Sequence, residues 1–72
     1  MPSFPDRLKE LRKSKKLTQK QLAVAIKVSE RNYQSFEYGE FKPSHDNIIK
    51  LAEYFQVSTD YLLGLTDNPE RQ

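Results

Sequence analysis

Apolar positions along this chain recur at helical spacing, and nowhere do they alternate as a half-buried strand would. Phe4, Leu8 and Leu11 stand at i, i+4 and i+7, which predicts a first helix opening near Ser3 and ending around Ser14 to Lys16. Ser3 with Asp6 three residues on is a start signal, and Pro5 is tolerated in a first turn. That stripe leaves Arg7, Lys9, Lys13 and Lys16 to the remaining surface. Leu22 and Ile26, with Ala23 beside them, predict a second helix. Thr18 and Gln21 form a T-x-x-Q capping box at its start, and Leu17 and Leu22 occupy the two positions of a hydrophobic staple. Ser29 repeats the device for a third helix, with Val28 and Tyr33 as the staple.

In that third helix Tyr33 and Phe36 form the inward stripe, while Glu30, Arg31, Gln34 and Ser35 are left outside. Gly39 is a natural stop, because glycine takes the left-handed cap without a Cβ penalty. Residues 40–43 make a short loop. Ser44 caps a fourth helix carrying Ile48, Leu51, Ala52 and Phe55, with Asp46 favouring its positive end. Val57, Ser58 and Leu62 repeat the staple and cap for a fifth, which Gly64 ends. The pattern predicts an all-α, compact five-helix globule over residues 1–65, with a polar tail or start of a linker over 66–72. Leu8, Leu11, Leu22, Ile26, Phe36, Leu51 and Phe55 are the expected core.

Seventy-two residues make one small domain near the lower limit at which a core stabilises a fold alone. There is no cysteine, so neither a disulfide nor a thiolate metal site contributes, and packed helices must carry the stability. No apolar run approaches the ~18 residues that cross a membrane, and the N-terminus lacks a signal-peptide layout, so a cytoplasmic protein is expected. His45 stands alone without a His/Cys cluster, so no metal is expected. With two glycines, and neither a nucleophile elbow nor a phosphate-cradling loop, the chain is expected to be no enzyme and to hold no cofactor. Tyr38, Phe41 and Tyr54 are open between core margin, self-association surface and plain exposure.

Charge changes the picture more. The net charge is +2, but residues 6–20 carry +5, residues 21–50 are neutral and residues 51–72 carry −3. Such a molecule turns its front half toward polyanions, unless these charges are simply a solvated face. The two capped helices flank a turn of about three residues at Lys27, which suits a helix-turn-helix whose second member is presented to a DNA groove.

Leu17-Thr18-Gln19, Gln21-Leu22-Ala23, Val28-Ser29, Phe36-Glu37 with Gly39, and Pro43-Ser44 resemble the phage-repressor (Cro-like, xenobiotic-response-element) helix-turn-helix family. Leu51-Ala52, Val57-Ser58 and Asp60 with Leu62-Leu63 continue the likeness, which covers roughly Phe4 to Leu63. The resemblance implies a lambda-repressor-like fold. It also implies a bacterial or phage transcriptional repressor that sets the segment Ser29–Tyr38 in the major groove of double-stranded DNA. By the same resemblance Ser29, Glu30, Arg31 and Ser35 match positions that reach base edges. Arg31 is suited to guanine and Glu30 to cytosine N4. Thr18, Gln19, Asn32, Gln34 and Lys42 match or adjoin positions that touch phosphates, Gln19 also bracing the reading helix. Arg12 and Glu37 match an ion pair tying the first helix to the third.

Lys27 and Gln56 stand where the family often has glycine, and Tyr33 is bulkier than its usual β-branched residue. The family pattern further implies a homodimer on a palindromic operator, with half-sites about one helical turn apart. The fifth helix, Tyr54, Leu63 and Leu65 are candidates for its seam. An additional effector domain or protein partner remains open. The alternative is a protein-interaction module, such as an antitoxin or adaptor that keeps the fold.

Overall fold

Every one of the five start signals is used. The computed structural model describes residues 2–70. In it the helices are α1 (Phe4–Ser14), α2 (Gln19–Ala25), α3 (Glu30–Tyr38), α4 (His45–Phe55) and α5 (Thr59–Leu62). Ser3, Thr18, Ser29, Ser44 and Ser58 each accept, on a side-chain oxygen, the backbone N–H three residues on, satisfying a donor that a helix start leaves orphaned. At α2 the box is complete, with the Gln21 side chain accepting from Thr18 N at 2.8 Å.

The helix ends are as uniform as the starts. Leu17, Val28, Glu40, Val57 and Leu65 each return a backbone N–H to the carbonyl five residues back, at 2.9 to 3.2 Å. The residue just before each has positive φ: Lys16 at 57°, Lys27 at 62°, Gly39 at 75°, Gln56 at 59° and Gly64 at 79°. This is the Schellman closure. Three junctions are therefore one repeated triplet, Lys16-Leu17-Thr18, Lys27-Val28-Ser29 and Gln56-Val57-Ser58. A left-handed residue ends one helix, an apolar residue turns inward, and a hydroxyl opens the next. The sharp reversal between α2 and α3 follows from this triplet alone.

Leu8, Leu22, Tyr33, Leu51 and Leu62 are fully buried, joined by Ala23, Ile26, Phe36, Ile48, Ala52, Phe55 and Val57. Leu11, expected in the core, is only partly buried and packs against its edge. α2 packs on α3 and α3 on α1, while α5 bridges α4 and α1. At the start of α1, Pro5 lies against Gly39 at the end of α3, with Pro5 Cγ 3.6 Å from where a Cβ would stand. No helix among the described residues is long and apolar enough to cross a membrane.

Two expectations are corrected. Arg7 is not on the surface; it is 2% exposed, with its guanidinium 3.8 Å from the centre of the Tyr61 ring. One of its nitrogens also lies 3.2 Å from Asp67. The chain after Thr66 is not a free tail over the residues described. Ser58 N donates to Pro69 O at 3.1 Å, and Asp67 holds Arg7, so residues 67–69 are tied back to the start of α5 and to α1. Arg71 and Gln72 lie outside the described residues.

Candidate nucleic-acid interface

The inner side of α3 is locked by a polar cluster as well as by its apolar stripe. Arg12 Nε donates to Glu37 Oε2 at 2.6 Å and Arg12 Nη2 to Glu37 Oε1 at 3.1 Å, a two-pronged pair between α1 and α3. A third guanidinium nitrogen donates to Leu17 O at 2.8 Å, closing the loop that leads into α2. The Tyr33 hydroxyl, one turn back on α3, also donates to Glu37 Oε2. Gln19 Nε2 adds a bond from α2 to Glu37 Oε1 at 3.2 Å. The Glu37 side chain is 2% exposed and that of Arg12 11%, so water screens the pair little.

Burial by itself pushes the Glu37 carboxyl up; the bonds from Arg12, Tyr33 and Gln19 outweigh it and hold the group below the ordinary carboxylate range. The hydrogen bonds and charge of Glu37 correspondingly raise Arg12 against its desolvation. Burial first, and Glu37 second, push the Tyr33 phenol above its usual value. At neutral pH Glu37 is therefore an anion that gathers donors from α1, α2 and α3 at one point.

With that side fixed, α3 turns the other outward. Ser29, Glu30, Arg31 and Asn32 are exposed at its start. Ser29, Arg31, Gln34, Ser35, Tyr38 and Phe41 line one shallow groove along it. Ser29 Oγ accepts Asn32 N at 3.0 Å and so acts as a cap. Ser35 departs from expectation: it is 7% exposed, and its hydroxyl donates to Asn32 O at 2.6 Å, inside its own helix. A seryl hydroxyl mid-helix commonly bonds back to the preceding turn, and here that bond uses the Ser35 hydroxyl proton within α3.

The residues expected at phosphates divide. Lys42 is exposed in the loop after α3, and Asn32 is exposed. Thr18 is exposed, and the capping box uses its backbone N–H as a donor and its Oγ1 as an acceptor. Gln19 and Gln34 are partly buried and bonded to each other, Gln34 Nε2 donating to Gln19 Oε1 at 3.2 Å. The Gln34–Gln19–Glu37 chain spans positions far apart in sequence, so spacing carries no signal for it. The Tyr33–Glu37 bond does have one, the i, i+4 spacing of two polar groups.

Known proteins share this fold. A family model described as helix-turn-helix matches residues 8–62. The Bacillus subtilis (strain 168) protein named uncharacterized HTH-type transcriptional regulator YobD is 45% identical over 67 residues, covering 93% of this chain and 60% of that protein. The cryptic phage CTXphi transcriptional repressor RstR of Vibrio cholerae is 36% identical over 67 residues, covering 93% of this chain and 60% of its own length. Among solved structures, the P22 c2 repressor protein in complex with a synthetic operator matches with a TM-score of 0.82 at 30% identity, covering 88% of this chain and 96% of that one. The chain spans 60%, 49% and 52% of the lengths of three curated relatives that it matches.

Proposed function

The chain belongs to the helix-turn-helix family whose model spans residues 8–62, and from that premise we propose that it reads double-stranded DNA in sequence and represses transcription. The observation that carries this is the division of α3 into a locked face and an offered one. Tyr33, Phe36 and Glu37 fasten the helix to α1 and α2, while Ser29, Glu30 and Arg31 stand exposed at its N-terminal start. A recognition helix uses its N-terminal residues on base edges, and its aim must be rigid for a bidentate contact to discriminate.

In this reading Arg31 pairs with guanine O6 and N7, Glu30 accepts from cytosine N4, and Ser29 lies at the same edge. Lys42 and Asn32 meet phosphates on either side, and the +5 charge of residues 6–20 draws the duplex in. The protein acts in the cytoplasm as a homodimer on a palindromic site. Its seam is formed by Tyr54, Leu63 and Leu65, apolar residues left exposed on α4 and on the end and exit of α5. An effector domain would belong to a longer protein of the kind its relatives form.

The test is selection of bound sites from random duplex DNA, followed by titration of the recovered site against salt. Phosphate contacts make log affinity fall linearly with log salt. The expected outcome is one recovered sequence with inverted symmetry, bound at least a thousandfold tighter than random duplex, on the order usual for specific sites. No enrichment, or binding indifferent to salt, sinks this reading and leaves the protein-interaction module in its place.

A further inference from the structure

Glu37, as an anion, can only accept hydrogen bonds. Any amide that meets it must turn its nitrogen toward it, which settles the orientation of Gln19: Nε2 toward Glu37, Oε1 away. The Gln19 oxygen then needs a donor, and Gln34 Nε2 supplies one at 3.2 Å. The polarity of one buried carboxylate is thus passed through two amides toward the surface. Gln19 retains a single amide N–H that neither bond uses, while its carbonyl is occupied.

Resting on the DNA-binding reading above, we propose that Gln34 is a positioning residue: by engaging the Gln19 carbonyl, it fixes the remaining Gln19 N–H as the group offered to a backbone phosphate. Phosphate oxygens carry no protons, so a donor must face them and a carbonyl there would repel. Without Gln34, the carboxamide is held only through its Nε2 bond to Glu37, and pivoting about that one bond carries the second N–H off the phosphate. Gln34 therefore acts on DNA through Gln19 and not by its own contact with phosphate or base.

The experiment uses the duplex recovered by selection with the wild-type chain, and versions of it in which single phosphates are replaced in turn by neutral methylphosphonate. One replacement weakens the wild type but leaves Gln19→Ala indifferent, which marks the phosphate that Gln19 meets. Gln34→Ala is expected to bind about threefold to tenfold more weakly than wild type, the size of one hydrogen bond loosened. It should lose sensitivity at that same phosphate and keep its base preference, and the double variant should bind like Gln19→Ala. Gln34→Glu has the same shape but only accepts, so it draws the Gln19 nitrogen toward itself and should bind at least tenfold more weakly than wild type.

A wild-type methylphosphonate profile in Gln34→Ala overturns the proposal, as does a loss that adds to that of Gln19→Ala, or a changed preference at one base pair. These results leave the DNA-binding reading standing. A wild-type chain that binds no duplex overturns both.

Discussion

Tyr33 and Glu37 lie one turn apart on α3, and the phenol of one donates to the buried carboxylate of the other. That bond puts the two largest polar side chains of the inner face into a single cluster with Arg12. Breaking a buried pair by removing one partner strands the other charge, at a cost of roughly 3–5 kcal/mol. Arg12→Ala and Glu37→Ala are each expected to lose about that much in urea denaturation. The double variant should lose clearly less than the two together, because no charge is left stranded. Tyr33→Phe removes one donor to an anion and should cost roughly 1.5–3 kcal/mol. Costs below about 1 kcal/mol for both Arg12→Ala and Glu37→Ala would show that the cluster contributes little.

The same cluster gives stability a pH window. The Glu37 carboxyl lies below its ordinary value of 4.5 in the folded state. The stability this contributes is present above that value and is lost as pH falls through the folded pKa. Tyr33 runs the other way: its folded pKa is raised above the ordinary 10.0. Its contribution is full below 10.0 and declines as pH rises past that value, where the unfolded phenol ionises and the folded one resists. Unfolding free energy against pH should form a plateau with two falling edges. In Tyr33→Phe the alkaline edge should flatten while an acid edge remains. An alkaline edge of unchanged steepness would assign it to other groups.

Five helix ends in left-handed residues make a matched set of substitutions. Lys16, Lys27 and Gln56 carry a Cβ at positive φ, a strain that glycine lacks but partly offsets by its greater freedom when unfolded. Each change to glycine is expected to stabilise by roughly 0.5–1 kcal/mol. Gly39→Ala meets only an ordinary contact with Pro5, so it should cost about 1 kcal/mol from conformation alone. Gly64→Ala should cost more, because its Cβ would stand 2.3 Å from Pro2 O, a backbone atom. Equal losses for the two glycines, by thermal melting, would mean that the chain start does not pack on Gly64.

What the sequence made legible was local. A cap joins i to i+3 and a staple spans five residues, so Thr18, Ser29, Ser44 and Ser58 each disclose a helix start without knowledge of the rest. The same locality extends to Lys16, which begins the triplet shared with Lys27 and Gln56; it takes up the left-handed turn that resemblance points to only at the other two. Contacts between distant segments leave no such trace. Arg12 reaches Glu37 across 25 positions and Arg7 reaches Asp67 across 60. The first is expected from family likeness alone. The second is unexpected, because the periodicity of α1 puts Arg7 outside, and only the packing of α5 sets Tyr61 against it. Ser35 shows the limit of periodicity at a reading face, since a small hydroxyl can turn back into its own helix.

That last difference separates two residues that likeness alone treats as equals. Arg31 is exposed at the start of α3, and among the described residues none bonds its guanidinium, so Arg31→Ala should leave folding intact. It should relax preference at one base pair of the selected site by roughly 1–3 kcal/mol, with binding to random duplex nearly unchanged. Ser35 is buried and donates to Asn32 O. Ser35→Ala removes a bond inside α3 and no group offered to DNA, so base preference should hold at every position. Competition binding against a panel of sites, each varied at one base pair, measures both. If Ser35→Ala relaxes a base pair as far as Arg31→Ala does, the hydroxyl must swing outward on binding, and α3 would present a broader reading face than its free form offers.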